Sequence, residues 1–143
     1  MPPLSRTRLK RFLSVSKLAR LATVKPDGAP YVNPVWFLFD GQFVYVHARA
    51  RAQYVENLKR QPRVAICMDA DTPPHTRVLL EGDAEVLEKV PREVHAKLLM
   101  KYMEDMAPGY REATKGFPRV WVRVRPSKIT SWEGAMWHPR YFA

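Results

Sequence analysis

Two short segments hold the residues best able to do chemistry. The first is His47-Ala48-Arg49-Ala50-Arg51. Its two arginines flank an alanine where strand-forming residues hand over to a helical run. Guanidinium groups and the free amides of a helix N-terminus together make an anion site, with phosphate the usual guest. Small alanines let a ligand approach the backbone. On spacing alone, two solvated arginines on a turn read the same way. The second segment is Asn33-Pro34-Val35-Trp36. Proline removes one donor from a strand ladder and leaves a neighbouring backbone group available to a ligand. Asn33 can both donate and accept a hydrogen bond. Trp36 reads equally as a ligand contact or as core filling.

The other reactive residue types mostly exclude. His47, His75, His95 and His138 are scattered without paired spacing and Cys67 is the one cysteine, so no metal site is expected. Cys67, between Ile66 and Met68, reads as a small buried residue. A lone cysteine makes no internal disulfide and is consistent with a reducing compartment. No Ser-His-Asp order or glycine-rich phosphate loop supports nucleophilic or nucleotide-hydrolysing chemistry. At 143 residues, 46% of them apolar, the chain fits one compact domain over 1–143. No apolar run approaches the roughly 20 residues that span a bilayer, and none follows the basic N-terminus as a secretory signal requires. The cytoplasm is the expected compartment, and no membrane partner is expected. The net charge of +10 attracts polyanions: nucleic acid, anionic membrane or a phosphorylated cofactor.

Periodicity supplies the elements that position these residues. Ser5 to Lys17 reads as an amphipathic helix with Leu9, Phe12 and Leu13 at helical spacing. Strands follow at Leu18–Val24, Pro30–Phe39 and Gln42–Ala48, with turns at Pro26-Asp27-Gly28 and Asp40-Gly41. The Pro30–Phe39 run is apolar on both faces, as in a barrel wall or under a partner subunit. Arg51–Gln61 reads as a helix ended by Pro62, and Arg63–Met68 as a short strand. In Arg77–Leu87, Val78, Leu80, Ala84 and Val86 alternate with charged residues. Pro91–Met106 reads as a helix, 107–118 as a surface loop, and Arg119–Arg125 as a last strand alternating valine with arginine. Six strands joined mostly by hairpins, with three helices, define an α+β fold, mainly β: a closed antiparallel barrel with helices outside.

Several segments, in this order and spacing, resemble the pyridoxamine 5′-phosphate oxidase-like split-barrel family. They are ATVKPDGAPYVNPVWF, NLKRQPRV, EGDAEV and VRVRPSKITSW, over roughly residues 18 to 132. The resemblance implies a six-stranded split β-barrel that forms a homodimer and holds FMN or the deazaflavin coenzyme F-420 at the subunit interface. It further implies oxidoreduction by hydride transfer to a small organic substrate. The cofactor-binding residues would be Asn33, Pro34, Val35, Trp36, His47, Ala48, Arg49, Arg51, Gln53 and Tyr54; no catalytic residue is assigned. In the family, a lysine opening the helix before an Asn-Leu pair grips the phosphate. Here the pair is Asn57-Leu58, and Tyr54, or Gln53 in a register shifted by one, stands in the lysine's place. Either Arg49 and Arg51 take over the phosphate, or the pocket takes an anion of different geometry. The closing RPSKITSW resembles the deazaflavin branch more than the vitamin B6 oxidases. Two rivals remain: a non-catalytic flavin or haem carrier or sensor of the same fold, and a basic nucleic-acid-binding barrel using Arg119–Arg125. A nucleic-acid partner is not expected, since a dimer rim or solvated strand face has the same alternation. The tail Trp137–Ala143 could cover the site or leave it open.

Overall fold

The structure, a computed structural model, describes residues 3–134; the tail from Trp137 to Ala143, His138 included, lies outside them. Helix α1 (Arg6–Val15) starts where expected, the Ser5 hydroxyl accepting from the Arg8 amide at 3.3 Å. Seven strands follow: β1 (Ala19–Val24), β2 (Pro30–Val35), β3 (Leu38–Phe39), β4 (Val44–Arg49), β5 (Arg63–Asp69), β6 (Thr76–Leu87) and β7 (Arg119–Glu133). Helix α2 (Gln53–Arg60) connects β4 to β5, and α3 (Arg92–Tyr102) and the short α4 (Tyr110–Ala113) lie between β6 and β7. All strand pairs are antiparallel, in the order β2-β1-β5-β6-β7-β4-β3. Helix α2 carries the chain from β4 across to β5, three places away in the sheet.

That order requires a barrel. Strands β2 and β3 are the two edges of the sheet, yet only Trp36 and Phe37 separate them in sequence. Three Cα steps reach about 11 Å, so the sheet must curl until its edges nearly meet. The result is an α+β split barrel with seven strands rather than the expected six. The Pro30–Phe39 run is two strands because Phe37 leaves the ladder. Its amide donates to the Tyr102 hydroxyl at 3.0 Å, and its carbonyl accepts from Lys101 Nζ at 3.0 Å. Tyr102 and Phe37 are fully buried, so α3 pins the link between the two sheet edges. Strand β2 is half-exposed rather than buried on both faces, with Val32 61% exposed. Its prolines are tolerated because it is an edge.

Other boundaries also differ from the sequence reading. Strand β7 runs on to Glu133 past Pro126, because a bulge opposite Glu81 and Gly82 absorbs the irregularity. Ser127 Oγ donates to the Glu81 carbonyl there at 3.1 Å. Gly82 permits the approach, since a Cβ at that position would lie 2.2 Å from the Arg125 carbonyl oxygen. The segment 107–118 is not plain loop but carries α4, and α3 ends at Tyr102 before a 3-10 turn, which leaves Met106 outside it.

Two cores hold the molecule. Leu21, Phe37, Val46, Ile66, Leu80 and Val122 belong to the one inside the barrel. Tyr45, Val94, Leu98, Tyr102 and Trp121 pack α3 against the outside of β4 and β7. Helix α2 is fixed to β1 by a buried polar contact, Asn57 Nδ2 donating to Thr23 Oγ1 at 3.0 Å. Buried polar groups cost little only when paired in this way. The Asn57-Leu58 pair is therefore a packing feature, with Leu58 in the barrel core.

Candidate functional site

A groove of about 1220 Å³ opens between the end of β4, the first turn of α2, strand β2 and the α3–α4 segment. Of the ten residues expected to bind a cofactor, nine line it: Asn33, Pro34, Val35, Trp36, His47, Arg49, Arg51, Gln53 and Tyr54. Ala48 does not. It is 1% exposed and faces the barrel interior, because a two-residue period puts it opposite His47 and Arg49. The same period corrects Cys67, which is half-buried on the outer face of β5 while Ile66 and Met68 turn inward; partial burial pushes its thiol pKa up.

The basic end of the groove is built from a turn and a helix start. The Ala52 amide donates to the Arg49 carbonyl at 3.0 Å, which closes the turn carrying both arginines. Ala52 has no side-chain oxygen, so no side chain caps the first turn of α2. Arg49 pairs in register with Arg119 of β7 and lies 5.8 Å from the Phe117 ring. Arg119 Nη2 in turn donates to the Tyr110 hydroxyl at 3.4 Å. Arg111 and Lys115 also line the groove, giving five cationic side chains against one carboxylate, Glu112, among the described residues. The reading of 107–118 as a surface loop missed Tyr110, Arg111 and Lys115. Nothing in their spacing signals a site; only the chain path over β4 brings them there, fixed by the Ala50 amide donating to the Pro118 carbonyl at 3.0 Å.

Tyr54, in the lysine's place, is 8% exposed and packs into the barrel core while its edge meets the groove. Burial pushes its phenol pKa up, against the pull of the Arg119 and Arg49 charges. Gln53 is partly engaged, donating to Asn57 Oδ1 at 2.9 Å. At the other end, Trp36 stacks on Tyr102 with centroids 4.4 Å apart and planes 4° apart, so it packs against the core and walls the groove at once. Asn33 lines the groove, and its Nδ2 donates to the Pro34 carbonyl at 3.1 Å, which leaves its side-chain oxygen as an acceptor.

His47 stacks on Trp121 at 4.3 Å and meets the edge of His95 at 5.1 Å. Burial first, then the charges of Arg119 and His95, hold its pKa down at about 4. It is a neutral imidazole at physiological pH. No group of three or more potential metal ligands occurs among the described residues. Trp121 is buried under α3 and Arg123 is bonded to Glu85 at 2.5 Å, so this part of β7 offers no exposed aromatic platform for bases.

A curled antiparallel sheet with a basic groove beside a helix start defines the class: a split β-barrel. The family model for pyridoxamine 5′-phosphate oxidase matches residues 6–133, and the chain belongs to that family. It is similar to the solved structure of an F-420 reductase, at 30% identity over 84% of this chain and 94% of that one, with a TM-score of 0.68. A conserved hypothetical protein from Mycobacterium tuberculosis is 28% identical over 91% of this chain and 85% of its own, with a TM-score of 0.74. A heme storage protein from Vibrio cholerae shares the fold at 20% identity, over 90% and 93% of the two chains, with a TM-score of 0.67.

Proposed function

We propose that the chain is an oxidoreductase that uses coenzyme F-420, with FMN as the alternative cofactor, to transfer hydride to or from a small organic substrate. One observation carries the choice between the two: five cations and one carboxylate at the rim of the groove. A compact terminal phosphate carries at most about two charges, which Arg49 and Arg51 suffice to meet. Arg111, Lys115 and Arg119 are then surplus for FMN, whereas the extended, multiply anionic tail of F-420 would use them. The 30% identity to an F-420 reductase supports the same choice.

The residues present fit such a group. Arg49, Arg51 and the uncapped first turn of α2 would hold its phosphate, and Asn33, Pro34 and Trp36 would line its ring. Tyr54 brings a hydroxyl and a flat face where a lysine would bring a point charge. When bound, the ring supplies the hydride chemistry; the protein binds, orients and shields it. That division explains why no catalytic acid or base is assigned.

Titrating the apo-protein with FMN and with F-420 at one ionic strength tests the choice, because salt weakens exposed charge pairing. F-420 is expected to bind more tightly; FMN binding tighter by about tenfold or more refutes it. Turnover of an acceptor after reduction separates an enzyme from a carrier. The reading includes a homodimer that completes the groove, supported by Val32 and Pro34, which stand exposed at the β2 edge. Light scattering at micromolar concentration is expected to give a dimer, and a monomer would leave the intersubunit site without support.

A further inference from the structure

Four of the seven large apolar side chains that stand exposed among the described residues gather at one corner, and none of them lines the groove. They are Val15 (65% exposed), Leu18 (44%), Met100 (71%) and Met103 (66%). They come from the C-terminal ends of α1 and α3 and the residues just beyond. The two ends are tied side by side: Lys17 Nζ donates to the Lys101 carbonyl at 2.6 Å, and Lys101 Nζ to the Leu13 carbonyl at 3.1 Å. Between them lies a second depression of about 490 Å³, floored by Leu13, Leu38 and Phe39 and rimmed by Lys17, Lys97 and Lys101. Helix α1 adds Arg6, Lys10 and Arg11 and has no acidic residue, while its Arg8 is paired with Glu133. Of the acidic residues near the patch, Asp105 is paired with Lys17 at 2.9 Å, and Asp40 follows Phe39.

We propose that this corner docks on an anionic lipid bilayer: Val15, Leu18, Met100 and Met103 enter the boundary of the acyl region while the surrounding lysines and arginines meet lipid phosphates. Apolar side chains ringed by cations, on a chain of net charge +10, are the physical signature of peripheral attachment to an anionic membrane. The amines of Lys17 and Lys101 are bonded within the fold, so at the rim it is Lys97 whose stem adds apolar contact while its amine reaches the headgroups. A second copy of the chain is a poorer occupant, since a two-fold contact would set this basic rim against itself. No helix among the described residues is long and apolar enough to cross a membrane, so the attachment is lateral. The expectation of no membrane partner rests on the lack of a spanning segment, which does not bear on such a surface.

The test is co-sedimentation of the full chain with vesicles of phosphatidylglycerol mixed into phosphatidylcholine, and with phosphatidylcholine alone. The double variant Met100→Ser, Met103→Ser keeps every charge and alters only exposed positions, so thermal unfolding should match the parent. The parent is expected to bind the anionic vesicles at least tenfold more tightly than the neutral ones, and the double variant to lose about tenfold. Lys97→Glu should weaken binding to the anionic vesicles and leave the weak binding to neutral ones unchanged. Three results overturn the proposal. The parent does not prefer anionic vesicles; the double variant binds them as well as the parent, which assigns binding to charge on some other face; or the double variant loses self-association by light scattering, which assigns the patch to a second copy.

Discussion

Replacing Tyr102 by phenylalanine removes one oxygen from the most consequential tie in the fold. The ring stays, and with it the stack on Trp36 at 4.4 Å. What goes is the acceptor for the Phe37 amide at 3.0 Å and a donor to the Phe37 or Lys17 carbonyl, both at 3.1 Å. The Phe37 carbonyl keeps Lys101 Nζ at 3.0 Å, and Lys17 is exposed, so water replaces what its carbonyl loses. The Phe37 amide, on a residue that is 0% exposed, has no such recourse. An orphaned buried donor costs about 1–3 kcal/mol, so the expected loss is about 2 kcal/mol, a sizeable part of the 5–15 kcal/mol typical of a domain. For a chain of this length that lowers Tm by roughly 6–10 °C. Urea unfolding followed by tryptophan fluorescence reads the loss directly, with the slope m unchanged. Because Phe37 joins β2 to β3, the variant should also bind cofactor less tightly. A stability loss under about 0.5 kcal/mol would show that the link is held without this tyrosine, and the account of the barrel's closure would be wrong.

Three other outcomes are expected. Gly82→Ala should cost about 1–3 kcal/mol in urea unfolding, because the new Cβ meets a main-chain oxygen at 2.2 Å that cannot simply turn aside; a neutral change would contradict the bulge geometry. Replacing Arg49 and Arg51 together by alanine should weaken cofactor binding at least about tenfold with no change in unfolding, at roughly 1.5–3 kcal/mol per charge-assisted bond; unchanged affinity would move the anion to Arg111, Lys115 and Arg119. His47 has its folded pKa depressed to about 4 from 6.5, so the unfolded chain binds the extra proton first and stability should fall as pH drops from 6.5 toward 4. His47→Gln should flatten that part of the pH profile, and an unaltered slope would place the titrating group elsewhere.

Local patterns were legible wherever one interaction decided them. Ser5 caps α1 as its hydroxyl allows, Gly41 takes φ 97° in the Asp40-Gly41 hairpin, and the Val78 to Val86 alternation is the pattern of β6. The break at Trp36–Phe37 was not legible, because its cause is a tyrosine 65 residues further on. Pro126 and the polar residues after it hid the second half of β7 for a similar reason: the bulge that accommodates them is a property of the β6 pair, not of β7 alone. Non-local partners, rather than weak local propensity, mark where the reading stopped short.

The site follows the same logic one level up. The groove residues near α2 were legible because turn, helix start and arginines are adjacent in sequence, so the basic end of the groove is a local structure. Ala48 fell out through strand parity, a rule available from sequence once β4 is fixed. Arg119 needed the register of β4 with β7, and Arg111 and Lys115 needed the path of the chain over the barrel mouth. On the proposed function, these three are the cations that would favour an extended polyanion over a single phosphate. The part of the groove that marks the general class is therefore written in one short segment. The part on which the choice of cofactor turns is assembled only when α4 and β7 fold back against β4.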